Sequence, residues 1–226
     1  MLFDVATHPQ HGLKTRATGS RMVAGGGALI AASAVAALGG QASLVGCVGD
    51  DTLGAFVRGE LAARGVNDTL VRSLPGQGTA RSAVLITPDG ERTIINHRDD
   101  ALFAIAPDVP EPFPFDAVLV DTRWPTGATA LLRAARQAGK PGVLDGEAPV
   151  QLAEDALHAA SHIVFSEQGL IDYAGASTAS ALAEVALRLG TFVAVTRGAA
   201  PVLCHGPDGA FMVETFATVA VDTLGA

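Results

Sequence analysis

The run AVLVDTRWPTGATALLRAARQAGKPGVLDG, residues 117–146, decides the fold. Residues 117–120 are consecutive apolar positions, and residues 126–138 place Leu131, Leu132, Ala135 and Ala138 at helical spacing. Residues 142–144 are apolar again up to Asp145. An apolar strand, a helix and a second apolar strand form the unit from which parallel sheets covered on both faces are built. The same texture runs onward through a strand at 163–165, a helix at 179–189 and a strand at 192–195, and upstream through 28–38, 44–48 and 53–64. The expected class is α/β, with a mostly parallel central sheet flanked by helices.

Two segments break this texture. Residues 80–87 and 92–97 are β-prone runs around Pro88-Asp89-Gly90-Glu91, and 202–205 and 210–214 flank Pro207-Asp208-Gly209. Both predict hairpins, because Pro, Asp and Gly supply the turn geometry. The first, lying between βα units, is expected to project as a lid, and the second to end the sheet.

Composition narrows the partners. At 226 residues, 49% hydrophobic and 17% charged, the chain can bury the core of a single globular domain. A formal charge of −8 with no run of Lys or Arg argues against nucleic acid or an anionic membrane as partner. Cys47 and Cys204 lie inside apolar runs and read as buried thiols. The N-terminus lacks a signal-peptide pattern, and the longest apolar stretch, 28–38, is too short to span a bilayer. The expected setting is soluble and cytoplasmic.

In open parallel α/β sheets, ligands gather at the carboxyl ends of strands. Here those ends carry Asp121-Thr122-Arg123, Asp145-Gly146-Glu147, Ser166-Glu167, Thr196-Arg197-Gly198 and Asp222-Thr223-Leu224-Gly225-Ala226. Each set alone reads equally well as a helix cap or turn. Together, on one edge, they predict a site for phosphate and metal chemistry. Gly25-Gly26-Gly27 precedes an Ala-rich helix, where backbone can approach a ligand closely or simply form a joint. No Gly-Lys-Ser/Thr follows, so it is not a P-loop.

Gly25-Gly26-Gly27, Leu38-Gly39 and Val45-Gly46-Cys47-Val48-Gly49-Asp50-Asp51 resemble the first signature of the ribokinase-like, pfkB-type carbohydrate kinases, and Asp222-Thr223-Leu224-Gly225-Ala226 resembles the start of their second. The resemblance spans essentially the whole chain. It implies a single ribokinase-like α/β domain over 1–226, with a β lid from about 10–24 and 80–98 that can pair two subunits, and ATP and Mg²⁺ as cofactors. It places the anion hole for the transferring phosphoryl group at Gly225 and Ala226, with Asp222 and Thr223 leading into it. It places sugar contacts at Gly26 and Gly27, and the nucleotide beside Ser166, Glu167, Thr196, Arg197 and Gly198. The family's Asn-x-x-Glu reads Ser166-Glu167-Gln168-Gly169 here, which leaves Glu167 as the metal candidate.

A finer resemblance, to the sulfofructose kinase branch, rests on 90–96, 121–124, 135–139, 143–146 and 165–167. It implies that Lys14, Asn96 and Arg123 hold the sulfonate of 6-deoxy-6-sulfofructose while its 1-hydroxyl is phosphorylated. Lys and Arg supply charge-assisted donors to such a monoanion. Arg123 could instead pair with Asp121 or Asp145. Relative to the family the chain starts after the first strand and stops before the catalytic Asp, so residues 1–226 are expected to be inactive as a kinase on their own. Two alternatives stay open. One is another pfkB-type kinase, acting on fructose, ribose, ketodeoxygluconate or a nucleoside, and the other is a non-catalytic sugar-binding paralogue.

Overall fold

The computed structural model describes residues 1–217, which divide into two compact units, Met1–Ala104 and residues 105–217. The 222–226 motif lies outside the described residues.

In the first unit, β1 (Leu2–Asp4), β2 (Gly19–Arg21), β5 (Arg81–Ile86) and β6 (Arg92–His97) form a sheet in the order β2-β1-β5-β6. β5 and β6 are the first expected hairpin, paired antiparallel from Arg81↔His97 to Ile86↔Arg92. β1 runs parallel to β5 and was not read from the sequence, since three residues are too few to show alternation. The same unit holds α1 (Gly27–Ala37), β3 (Gly46–Gly49), α2 (Thr52–Ala63) and β4 (Val71–Leu74), with β3 and β4 parallel. Leu29, Val48, Leu61, Val66 and Val71 pack into one cluster with Ala32, Ala36, Phe56 and Val57. Small alanines on α1 let it lie close to these larger side chains.

Local geometry explains much of the first signature. Asp51 caps α2: its Oδ1 accepts from Gly54 N at 2.7 Å, and its Oδ2 accepts from Thr79 N at 2.9 Å. Thr79 Oγ1 donates to Asp51 Oδ1 and accepts from Gly49 N at 2.9 Å. These bonds hold the Asp51 carboxyl below its ordinary value, with the Thr79 hydroxyl the largest cause. A Cβ on Gly54 would stand 2.2 Å from Gly49 O, and one on Gly49 would stand 2.2 Å from Gln77 O, so both glycines are required by close backbone approach. Asp51→Ala is expected to cost about 2 kcal/mol, the upper end for a lost N-cap, because Thr79 loses its partner too. The Asp51 contribution is present above its ordinary value of 3.8 and is lost as pH falls through the lowered folded value. Urea melts of wild type and variant should therefore converge in acid.

In the second unit, β7 (Val118–Asp121), β8 (Gly142–Gly146), β9 (His162–Ser166), β10 (Phe192–Arg197), β11 (Ala200–Gly206) and β12 (Gly209–Val213) form a sheet in the order β12-β11-β10-β9-β8-β7. β7 to β10 are parallel, and β11–β12 is the expected second hairpin, ending the sheet antiparallel. The helices are α3 (Pro125–Gln137), α4 (Glu154–Ala159), α5 (Glu167–Ala174) and α6 (Ala179–Leu189). α3 buries Ala128, Leu131, Leu132 and Ala135, and α6 buries Ala181, Leu182, Val185 and Ala186, each an i, i+3/i+4 stripe. Leu144, Ile163, Phe165, Val193 and Val195 are fully buried, each contributing about 1.5–3 kcal/mol of burial free energy. α4 and α5, at six and eight residues, were too short to read from periodicity.

Candidate functional site at the carboxyl edge of the parallel sheet

Because β7, β8, β9 and β10 are parallel neighbours, four of the five polar strand ends fall on one edge. The register pairs Asp121 with Asp145, Gly146 with Phe165, and Ser166 with Thr196. The fifth, Asp222 to Ala226, lies outside the described residues.

The loop after β7 is built around Arg123. Its backbone N–H donates to Asp121 Oδ1 at 2.8 Å, closing a tight turn. Buried Thr122 donates from Oγ1 to Glu147 O at 2.8 Å, which ties this loop to the one after β8. The Arg123 guanidinium donates through Nη1 to Ala148 O at 3.2 Å and lies 2.8 Å from Glu147 Oε2 through Nη2. The ion pair is therefore with Glu147, rather than with Asp121 or Asp145. The Trp124 indole packs over Gly127, where any Cβ would collide with its ring at 2.4 Å. Pro125 starts α3 directly behind it.

Three carboxylates and one guanidinium share this corner. The Asp145 carboxyl is pushed above its ordinary value of 3.8, first by partial burial and then by Glu147 and Asp121, with Arg123 opposing. Asp145 is an exposed residue, so solvent screens part of this effect. The folded state therefore holds this proton more tightly than the unfolded chain. No penalty exists below 3.8; it grows as pH rises from there towards the raised folded value and is complete above it. Asp145→Asn is expected to gain stability over wild type as pH rises above 3.8, read as a growing difference in urea midpoint.

After β9, Ser166 caps α5, its Oγ accepting from Gly169 N at 3.0 Å, and Glu167 Oε1 accepts from Ser177 Oγ at 3.1 Å. Gly169 packs its α-carbon against the end of β8: a Cβ would stand 1.8 Å from Gly146 O. After β10, Thr196 is exposed, Arg197 donates from Nη2 to Pro201 O at 2.9 Å, and Gly198 turns the chain at φ 60°. Arg197 Nε is buried without a hydrogen-bond partner among the described residues.

The remaining candidates lie in the first unit. Gly26, at φ 102°, is the N-cap of α1, and Gly27 opens the helix. A Cβ on Gly26 would meet nothing within 4 Å, so its backbone conformation rather than crowding calls for glycine. Lys14 is exposed in the loop between β1 and β2. Asn96 donates from Nδ2 to Ser82 Oγ at 2.9 Å and to Arg81 O at 3.4 Å across the hairpin.

The donor set suits a nucleotide's phosphates: a glycine turn after β10, an orphaned guanidinium Nε, and the capped start of α5. Among the described residues no group of three His, Cys, Asp or Glu side chains could hold a metal ion, so Glu167 does not build a metal site there alone. Also among them, no helix is long and apolar enough to cross a membrane, and Cys47 and Cys204 are free thiols.

Comparison with known proteins agrees with this architecture. Residues 3–226 match the family model described as pfkB family carbohydrate kinase. The chain is 29% identical over 221 residues to an ATP-dependent ribose-1-phosphate kinase of Halopiger xanaduensis, covering 91% of this chain and 70% of that protein. A solved structure from Agrobacterium tumefaciens, described as a "putative ribokinase", superposes with a TM-score of 0.91 at 38% identity, covering 98% of this chain and 75% of that one. An Arabidopsis thaliana ribokinase complexed with ribose and ATP shares the fold, with a TM-score of 0.73 at 19% identity over 98% of this chain and 74% of its own. The fold is thus ribokinase-like, and the chain belongs to the pfkB family of carbohydrate kinases.

Proposed function

We propose that this protein transfers the terminal phosphoryl group of ATP to a hydroxyl of a small anionic sugar, and that 6-deoxy-6-sulfofructose, phosphorylated at its 1-hydroxyl, is the specific substrate. Arg123 carries the reading: a guanidinium at a strand's carboxyl end, positioned by its own backbone N–H on Asp121 and by Ala148 O, is a fork aimed for a tetrahedral or planar anion. The family resemblance adds Lys14, Asn96, Gly26 and Gly27 as further substrate-binding residues. Thr196, Arg197 and Gly198 hold the nucleotide with Ser166 and Glu167. Mg²⁺ would arrive with the nucleotide, where it neutralises phosphate charge. In such transfer the protein's work is mostly positioning and electrostatic stabilisation, and Asp222 to Ala226 is the proposed segment for it.

The relative that phosphorylates ribose 1-phosphate makes a phosphorylated sugar the second reading, since the same fork recognises phosphate. A second copy of the chain is the proposed protein partner, through the exposed edge strand β6 with Ile94 and Ile95 outward. A reducing, cytoplasmic setting accords with the free thiols. The reading is tested by a coupled assay on the full-length protein across 6-deoxy-6-sulfofructose, ribose 1-phosphate, fructose, ribose, ketodeoxygluconate and inosine. Turnover is expected to concentrate in the anionic sugars, and equal use of fructose or ribose would remove it.

A further inference from the structure

We propose that Glu147 is a specificity-determining residue: its carboxylate occupies the Arg123 fork until an anionic sugar displaces it. This rests on the reading of Arg123 as the anion-binding residue.

The geometry separates a fixed part from a movable one. The main chain at Glu147 is anchored, because the buried Thr122 hydroxyl donates to Glu147 O at 2.8 Å. The two side chains of the ion pair, 2.8 Å apart, are about half exposed at 48% and 56%. The carboxylate can therefore swing into solvent while the loop stays in place. Arg123 does not lose its aim when this happens, since its backbone N–H on Asp121 and its Nη1 on Ala148 O are independent of the Glu147 side chain.

Charge supplies the selectivity. Glu147 pairs with the Arg123 guanidinium, which also acts on the Asp145 carboxyl, and Glu147 and Asp121 both act on that carboxyl as like charges. A neutral sugar offers nothing that outbids a carboxylate on Arg123, so the fork stays closed to it. A sulfonate, carboxylate or phosphate competes with Glu147 for the Nη2 end of the guanidinium and replaces one ion pair with another. Glu147 thus weakens binding of every anion somewhat, and in exchange keeps an unpaired cation from gripping weak or adventitious ligands.

The test is titration calorimetry of 6-deoxy-6-sulfofructose and of fructose into wild type, Glu147→Gln and Arg123→Ala. Releasing a half-exposed competitor is expected to tighten 6-deoxy-6-sulfofructose about three- to fivefold in Glu147→Gln, the upper part of the range for an exposed ion pair, and to leave fructose unchanged. The gain is expected to shrink as salt is raised, which a merely structural role for Glu147 would not produce. Unchanged or weaker 6-deoxy-6-sulfofructose binding in Glu147→Gln, alongside its loss in Arg123→Ala, overturns the role of Glu147 alone. Equal tightening of both sugars also overturns it. Indifference of both sugars to Arg123→Ala removes the anion-binding reading itself, and the displacement with it.

Discussion

Gly169→Ala is expected to destabilise the second unit by about 3 kcal/mol or more, the upper range for overpacking a site that cannot yield. The added methyl would stand 1.8 Å from Gly146 O, a backbone atom at the end of β8 rather than the tip of a flexible side chain. Relief requires α5 to lift from the sheet. Its N-cap bond from Gly169 N to Ser166 Oγ moves with it, as does the Phe165 ring that lies against Gly146. For a chain of this size the loss corresponds to a fall in melting temperature of about 6–12 °C. Gly175→Ala, at the other end of the same helix, meets no neighbour within 4 Å and strains only its positive φ. It should cost about 1 kcal/mol. A thermal melt of both variants separates crowding from backbone strain.

Arg123→Ala is expected to lower kcat/KM for 6-deoxy-6-sulfofructose by about 10- to 100-fold in the full-length protein, the value of one charge-assisted contact to substrate. Fructose, lacking the anion, should change less than about twofold by the same logic of lost contacts. The fold itself should tolerate the change, because Arg123 is half exposed and its ion pair with Glu147 is worth at most about 1 kcal/mol at such exposure. A drop in kcat/KM of the same size for both sugars would mean that Arg123 orders the loop rather than the anion.

The parallel sheet was legible in the sequence because each of its strands is apolar on both faces and each long helix shows a stripe. The expected 179–189 helix coincides with Ala179–Leu189. The hairpins were legible from their Pro-Asp-Gly turns. What stayed hidden is short or non-local. Leu2–Asp4 has too few residues for a period, and its pairing with β5 crosses most of the first unit. Placement of four polar strand ends on one edge followed from counting strand ends, but their partners did not. Arg123 was expected to hold the sulfonate, with Asp121 or Asp145 as its alternative partners; its acidic partner is instead Glu147, whose loop Thr122 ties across. At Gly169 the approach of Gly146 O, a contact between strand and helix that no local pattern shows, explains a residue without a side chain.

The central claim is phosphoryl transfer from ATP to an anionic sugar. It is tested most directly by following ATP and 6-deoxy-6-sulfofructose with the full-length protein by ³¹P NMR. The account predicts one ADP formed for each new phosphate ester, with the ester carried on C1 of the sulfosugar. ATP left intact in the presence of bound sugar, or phosphate released to water without ester, would contradict it.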